Sequence, residues 1–232
     1  NNHIPVLAHE LLNAIDPKPG QIIIDCTAGL GGHINLMLEK ILPNGQVIAL
    51  DRDPFAISYL ENKKATDSPL AIVKSKFSEL PHVLNQLNIN SVAAIYADIG
   101  VSSPQLDQKE RGFSFQKESR LDMRMDQNEE TPDASEILNT WEEKQLRELF
   151  WQFGEEKKAK SMAHLICKER SVKPIHTTTE LVALAQKVYP FGKKNPATKL
   201  FQALRIEVNK ELFELKTLIE QAPAFLAPQG KL

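Results

Sequence analysis

Three clusters in this sequence combine residue types and spacings that can do chemistry. The first is Asp25-Cys26-Thr27-Ala28-Gly29-Leu30-Gly31-Gly32-His33. Glycines at a sharp turn after an apolar run let backbone approach a ligand closely. A pyrophosphate-binding fingerprint needs Gly-x-Gly-x-x-Gly, and counting from Gly29 the third glycine position holds Ile34. Asp25, four residues before Gly29, suits the ammonium of an amino-acid zwitterion, so a cofactor with a methionine end and a sulfonium fits this loop better than a pyrophosphate. The second cluster is Asp51-Arg52-Asp53-Pro54, in which Asp51 stands nineteen residues after Gly32. A carboxylate near that spacing accepts hydrogen bonds from ribose hydroxyls. Together, Asp25, Gly29, Gly31, Gly32 and Asp51 imply an adenosine-bearing cofactor, with a nicotinamide-linked oxidoreductase as the alternative. His33 has no second ligand at metal-binding spacing, so no metal site is expected.

The third cluster, Asp98-Ile99-Gly100-Val101-Ser102-Ser103-Pro104-Gln105, is a dense polar group after an apolar run. A Ser-Ser-Pro sequence is by itself an ordinary turn. At the carboxyl end of a strand beside the first one, it lies where an open α/β sheet places its chemistry. Asp98, Ser102 and Ser103 are therefore the candidate catalytic residues. Phe77, after the third apolar run, either flanks an adenine ring or belongs to the core.

Four apolar runs of strand length must position these clusters: Gln21 to Cys26, Val47 to Leu50, Leu70 to Val73 and Val92 to Ala97. Helical patterns over residues 33–41, 54–63 and 78–88 alternate with them, which is the signature of a parallel sheet built from βαβ units. After Val101 the alternation stops, and residues 105–130 form a polar, Arg- and Asp-rich stretch without periodicity, read as a long functional loop. Helices follow, with Thr-x-x-Glu capping boxes expected at Thr140 with Glu143 and at Thr177 with Glu180. A last long helix is expected to carry Phe201, Leu204, Val208, Leu212, Leu215 and Ile219 on one stripe. Gly230-Lys231-Leu232 reads as the approach to another strand. The expected architecture is a core of residues 1–106 and 204–232 interrupted by an inserted loop and helical domain, residues 107–203.

The 232 residues carry 42% apolar and 25% charged side chains, near the average for folded domains. No run of about 18 apolar residues implies a membrane span, and the first residues lack a signal-peptide pattern. Cys26 and Cys167 lie far apart, so no dithiol or zinc framework is present, and a cytoplasmic location is the default expectation. A net charge of -2 opposes coating nucleic acid by charge alone. Local positive charge is concentrated over residues 187–210, which hold Lys187, Lys193, Lys194, Lys199, Arg205 and Lys210 against Glu207. That pattern fits either a phosphate-facing surface or a solvated helix face.

Several longer motifs carry a family resemblance. They are His3-Ile4-Pro5-Val6-Leu7, Asp98 to Asp107, Arg111-Gly112-Phe113-Ser114-Phe115 and Leu121-Asp122-Met123-Arg124-Met125-Asp126, followed by Gly154-Glu155-Glu156 and Pro196-Ala197-Thr198 with Phe201-Gln202-Ala203-Leu204-Arg205-Ile206. Over nearly the whole chain they resemble the MraW family, which methylates the N4 amino group of a cytidine in bacterial 16S ribosomal RNA. The resemblance implies a Rossmann-like class I methyltransferase sheet with an inserted helical domain. It also implies S-adenosyl-L-methionine contacts from Gly31, Gly32, His33, Asp51, Phe77, Asp98 and Gln105, and a partner in 16S ribosomal RNA within the small subunit. The segment after Gln105 then helps receive RNA, with Arg111, Arg124, Lys193, Lys194 and Lys199 as candidate RNA-binding residues. A family motif that usually reads His-Pro-Ala-Thr-Arg has Asn195 and Lys199 here, and Lys lacks the planar fork that grips a phosphate twice. Family members continue beyond the position of Leu232 with more sheet, so the fourth strand is expected to have a bare outer edge. A non-catalytic ribosome-assembly factor stands as the other alternative.

Overall fold

The computed structural model describes residues 5–116, 118–190 and 195–232. In chain order the elements are α1 (Ala8–Ile15), β1 (Ile22–Asp25), α2 (Gly32–Ile41), β2 (Gln46–Asp51), α3 (Pro54–Lys63), β3 (Leu70–Lys74), α4 (Leu80–Gln86) and β4 (Val92–Tyr96). They continue with α5 (Ser103–Asp107), α6 (Ala134–Thr140), α7 (Glu143–Gln152), α8 (Ala159–Arg170), α9 (Thr178–Val188), α10 (Thr198–Val208), α11 (Glu211–Gln221) and β5 (Leu226–Lys231). The chain separates into two compact units, residues 1–100 with 213–232 and residues 101–212. These limits differ from 106/107 and 203/204, the second of which falls inside α10.

The first unit is a five-stranded sheet in the order β3-β2-β1-β4-β5, and every pairing in it is parallel. The inner strands β1, β2 and β4 are apolar runs buried on both faces, as a parallel sheet covered by helices requires. Alternation sorts them into two layers. Ile23, Val47, Ala49, Ala94 and Tyr96 pack with Ile34, Met37 and Ile41 of α2 and Leu60 of α3. Ile24, Ile48, Leu50 and Ile95 face the other way, against Leu80, Val83 and Leu84 of α4 and Leu218 of α11. Met37 and Ile41 are fully buried, and each such side chain contributes about 1.5–3 kcal/mol by leaving water. A buried Glu214 on α11 accepts hydrogen bonds from Ser78 N at 2.8 Å and Ser78 Oγ at 3.1 Å, tying that helix to the turn after β3. The outer edge of β4 is not bare: β5 pairs with it, Val92 opposite Leu226 and Ala94 opposite Lys231.

The second unit is helical around Phe150, Leu121, Met123, Leu138, Leu146, Met162, Ile166, Leu181 and Leu204. Leu121 and Met123 come from the stretch expected to be an open loop. That stretch is instead threaded through the unit by backbone hydrogen bonds, Leu121 N to His176 O at 2.9 Å, Met123 N to Arg111 O at 3.0 Å and Ser135 N to Leu121 O at 2.8 Å. Gly112 permits the crossing: its φ is +75°, and a Cβ there would stand 2.5 Å from Arg120 O. Two helix readings also need correction. Thr140 ends α6 and bonds back to Glu136 O, whereas α7 is capped by Glu142, whose N–H donates to Gln145 Oε1 at 2.9 Å. The expected long last helix is two helices, α10 and α11, with Lys210 at φ 51° between them. Asn209 causes the break. Its carboxamide accepts from Met125 N at 2.8 Å and donates to Met123 O at 2.8 Å, so that residue is held by the threaded stretch. Leu212 and Ile219 of the expected stripe are consequently exposed. Thr177 does cap α9, with Thr177 N donating to Glu180 Oε2 at 3.0 Å and Glu180 N to Thr177 Oγ1 at 3.3 Å.

Candidate active site

The glycine turn joins β1 to α2 at the carboxyl end of the central strand. Gly29 and Gly31 both have positive φ, +50° and +82°. A Cβ on Gly31 would also stand 2.8 Å from Leu60 Cδ2, so the turn demands glycine twice over. Ile34 sits fully buried in the core beneath the turn. It is a packing residue where the dinucleotide fingerprint would have a third glycine.

Two carboxylates frame this turn. Asp51, ending β2, accepts from Gly29 N at 2.9 Å through Oδ2 and from Asp53 N at 2.9 Å through Oδ1. It thereby holds the turn in shape, and with the Arg52 amide as a further donor about one of its four or so lone-pair sites stays open for a ribose hydroxyl. Burial pushes its carboxyl up to about 6. Asp25 is 1% exposed, and its two oxygens accept from Thr27 N at 2.9 Å and Tyr96 Oη at 2.8 Å. Burial pushes this carboxyl up to about 6 as well. Such an internally satisfied carboxylate is a fastening for the loop. The expected contact with a ligand ammonium has no exposed oxygen to use.

Gly32 and His33 are engaged by the chain itself. A Cβ on Gly32 would stand 2.9 Å from Pro5 Cγ, and His33 Nε2 lies 2.9 Å from Val6 O. Phe77 is half-buried in the layer where Leu80 and Leu84 of α4 pack on the sheet, so packing accounts for part of its surface. Beyond β4, Asp98, Ile99 and Gly100 are exposed, and Asp98 N donates to Thr27 Oγ1 at 2.7 Å. The ends of β1 and β4 are thus joined by a hydroxyl. Thr27 and Tyr96 were not among the residues expected at the site. The signal for Tyr96 was present, since it is the one polar side chain in the run Val92 to Ala97.

The second unit holds the other expected residues. Gln105 is 5% exposed, and its Oε1 accepts from Ser102 N at 3.0 Å, capping α5. Ser102 is half-buried and Ser103 exposed. Arg111 and Arg124, expected at an RNA surface, are used inside the unit. Arg111 is 5% exposed and donates to Met125 O at 2.7 Å. Arg124 grips Asp122 with two bonds, 2.8 and 2.9 Å, and donates to Glu129 O at 2.9 Å. Burial opposes ionisation of Asp122, but the hydrogen bonds and charge of Arg124 hold its carboxyl below the usual range. Among the described residues of the basic run, Lys187 pairs with Glu169, Arg205 with Glu211 and Lys210 with Glu207. Lys199 is exposed and donates to Glu155 O at 2.6 Å. Lys193 and Lys194 lie outside the described residues. Among the described residues no helix is long and apolar enough to cross a membrane.

These features suit a group with a ribose and an amino-acid end: a tight glycine turn, a half-buried carboxylate with an acceptor site to spare at the end of β2, and an exposed acid after β4. Comparison with known proteins points the same way. The chain is 44% identical to ribosomal RNA small subunit methyltransferase H of Caldicellulosiruptor saccharolyticus, covering 99% of this chain and 75% of that protein. It is 42% identical to the protein of that name from Ureaplasma urealyticum serovar 10 and 40% identical to that from Lactobacillus delbrueckii subsp. bulgaricus, each over 99% of this chain and 76% of the relative. Among solved structures, Aeropyrum pernix fibrillarin with natively bound S-adenosyl-L-methionine overlaps loosely, with TM-score 0.36 and 12% identity over 76% of this chain and 73% of its own. Since residues 1–232 all match its family pattern and relatives above 40% identity span 99% of it, the chain belongs to the MraW methylase family.

Proposed function

We propose that this chain transfers a methyl group from S-adenosyl-L-methionine to the N4 amino group of a cytidine in 16S ribosomal RNA, taken within the small ribosomal subunit in the cytoplasm. The observation that carries the reading is the convergence of Asp51, the Gly29–Gly31 turn and the exposed Asp98 at the carboxyl ends of β2, β1 and β4. An open parallel sheet binds its ligand there. The names of the relatives, all small-subunit ribosomal RNA methyltransferases, supply the substrate class.

When bound, S-adenosyl-L-methionine supplies a methyl group already activated by its sulfonium. The residues of this chain have to hold that group and admit the nucleophile. Asp51 accepts the ribose hydroxyls while it keeps the glycine turn in shape, and Gly31 and Gly32 let the backbone come close. Asp98 stands at the mouth, where its carboxylate is shared between the cofactor and the acceptor. A cytosine amino nitrogen is a weak nucleophile, because its lone pair is delocalised into the ring. An acceptor for one of its protons localises that pair as the bond to carbon forms, and Asp98, with Ser102 and Ser103 in the following segment, fills that role. Alignment of the two reactants supplies much of the remaining rate, on the order of 7 kcal/mol or more in favourable cases. The target base is unstacked to reach the site. Residues 101–212, including Lys199 with Lys193 and Lys194, meet the RNA.

The test is methyl transfer from labelled S-adenosyl-L-methionine to small subunits prepared without this modification, followed by digestion to nucleosides and mass analysis. Labelled N4-methylcytidine is expected. Label in 5-methylcytidine or in a methylated purine would overturn the cytidine N4 reading.

A further inference from the structure

The first unit contains a polar chain that neither cofactor binding nor the acceptor needs directly. Asp25 and Tyr96 are register partners on β1 and β4, each at the last position of its strand. Both side chains are enclosed, 1% and 7% exposed, on the face packed by α2. The Tyr96 hydroxyl donates to Asp25 Oδ2 at 2.8 Å. Asp25 Oδ1 accepts from Thr27 N at 2.9 Å and from Thr27 Oγ1 at 3.4 Å. Thr27 Oγ1 in turn accepts from Asp98 N at 2.7 Å. Donor directions agree throughout: the amide of Asp98 gives to the hydroxyl of Thr27, and both hydroxyls give to the carboxylate. A phenylalanine would fill the space of Tyr96 without bringing a hydroxyl into an apolar layer. A buried carboxylate without a cation is costly unless its hydrogen bonds are met. The described contacts meet those bonds with donors that lead to the first residue of the acceptor segment.

We propose that Tyr96 is a positioning residue for methyl transfer, fixing the backbone of Asp98 through Asp25 and Thr27 and so setting where the acceptor segment stands over the cofactor turn. This rests on the proposal that Asp98 serves the acceptor. With Asp25 ionised both hydroxyls donate to it; a protonated carboxyl keeps Tyr96 only by turning its own O–H toward Tyr96 Oη, which reverses that bond and weakens the carboxylate's hold on Thr27. His33 on α2, Asp51 on β2, and Tyr96 on β4 with neighbouring Cys26 are the titratable groups facing it. His33 favours the ionised form of Asp25, and Asp51 disfavours it. Burial pushes the carboxyl up to about 6, and the Tyr96 hydrogen bond holds it lower than burial alone would.

The test is single-turnover methyl transfer by Tyr96→Phe, Thr27→Val and Thr27→Ser at saturating S-adenosyl-L-methionine across pH 5 to 8, with cofactor affinity and melting temperature measured alongside. Displacement of a reacting group by about 1 Å costs roughly a hundredfold in rate. Tyr96→Phe and Thr27→Val are expected to slow transfer by about tenfold to a hundredfold, with a much smaller change in cofactor affinity. Thr27→Ser, which keeps the hydroxyl, is expected to retain the parent rate. In Tyr96→Phe the acid limb of the rate is expected at higher pH, since Asp25 has lost a donor to its ionised form. Parent rate with an unmoved acid limb in Tyr96→Phe overturns the proposal, as does a Thr27→Ser variant as slow as Thr27→Val. A loss confined to cofactor affinity overturns it too. An Asp98→Ala control separates the two claims. Parent rate in that variant removes the acceptor role of Asp98 itself, whereas a slow Asp98→Ala beside a normal Tyr96→Phe removes only the relay.

Discussion

The carboxyl ends of β1, β2 and β4 and the threaded stretch of residues 105–130 are both rich in charge, yet they use it in opposite ways. At the strand ends, Asp51 is only half-buried with an acceptor site to spare, and Asp98 is exposed. In the threaded stretch, Asp122 is 2% exposed, Asp126 is 2% exposed and Arg111 is 5% exposed. The first arrangement leaves groups for a ligand. The second satisfies charge internally and gives Leu121 and Met123 a place in the core. A dense run of Arg and Asp is therefore ambiguous until the pairing is known, because buried charges of opposite sign can hold a segment without periodicity as firmly as an apolar face does.

The largest expected effect tests the second half of this contrast. Arg124→Ala leaves the Asp122 carboxylate buried without its guanidinium, and removing one member of such a pair costs about 3–5 kcal/mol. Chemical denaturation checks it. A loss below about 0.5 kcal/mol, typical of surface substitutions, would mean that Arg124 is a surface residue after all and would return it to the RNA face.

Asp51→Ala comes next, with a predicted loss of S-adenosyl-L-methionine affinity of about 1.5–3 kcal/mol, the usual worth of a hydrogen bond to a charged group. Calorimetry on folded protein decides it, and unchanged affinity would leave Asp51 as a brace for Gly29 and nothing more. A pH series sharpens the same point. Because burial raises the folded carboxyls of Asp51 and Asp25 to about 6, above the ordinary carboxylate value, the ionised forms dominate only above that pH. Ribose hydroxyl donors favour the ionised form of Asp51, while Asp25 acts on the site only through the loop it fastens. Cofactor affinity should therefore be full above about pH 6 and fall as pH drops through it. Flat affinity between pH 5 and 8 would detach Asp51 from binding. Stability runs the opposite way: with folded values raised, these two groups bind more protons folded than unfolded, so their contribution weakens as pH rises from about 4 to about 6.

The smallest effect concerns RNA. Charge reversal at Lys193 and Lys194 should flatten the salt dependence of subunit binding by roughly one to two units of log-log slope while cofactor affinity stays level. Equal slopes for variant and parent would return both lysines to the solvated surface.

Much of the first unit was legible in the sequence because a parallel sheet writes itself plainly. Runs such as Ile22-Ile23-Ile24 allow little but a doubly buried strand, and Gly29 and Gly31 mark a turn that other residues resist. The register that brings Tyr96 beside Asp25 was not legible, since parallel pairing is set by packing and not by a local signal. Asp25 was read as a ligand contact because its hydrogen-bond partner lies 71 residues away. Gln229-Gly230-Lys231-Leu232 suggested the approach to a strand, but not that β5 would already lie along β4. In the second unit, Asn209 looked like an ordinary helix residue, and only its bonds to Met123 and Met125 reveal why α10 stops.

The central claim is that the chemistry belongs to the strand ends, with Asp98 facing the acceptor. Its most direct measurement is the single-turnover rate of Asp98→Ala at saturating S-adenosyl-L-methionine, on small subunits lacking the modification, beside cofactor affinity for the same protein. A fall of about a hundredfold or more in transfer, with a several-fold smaller loss of affinity, is the predicted result. A variant that transfers methyl groups at the parent rate would contradict it and move the acceptor contact away from β4.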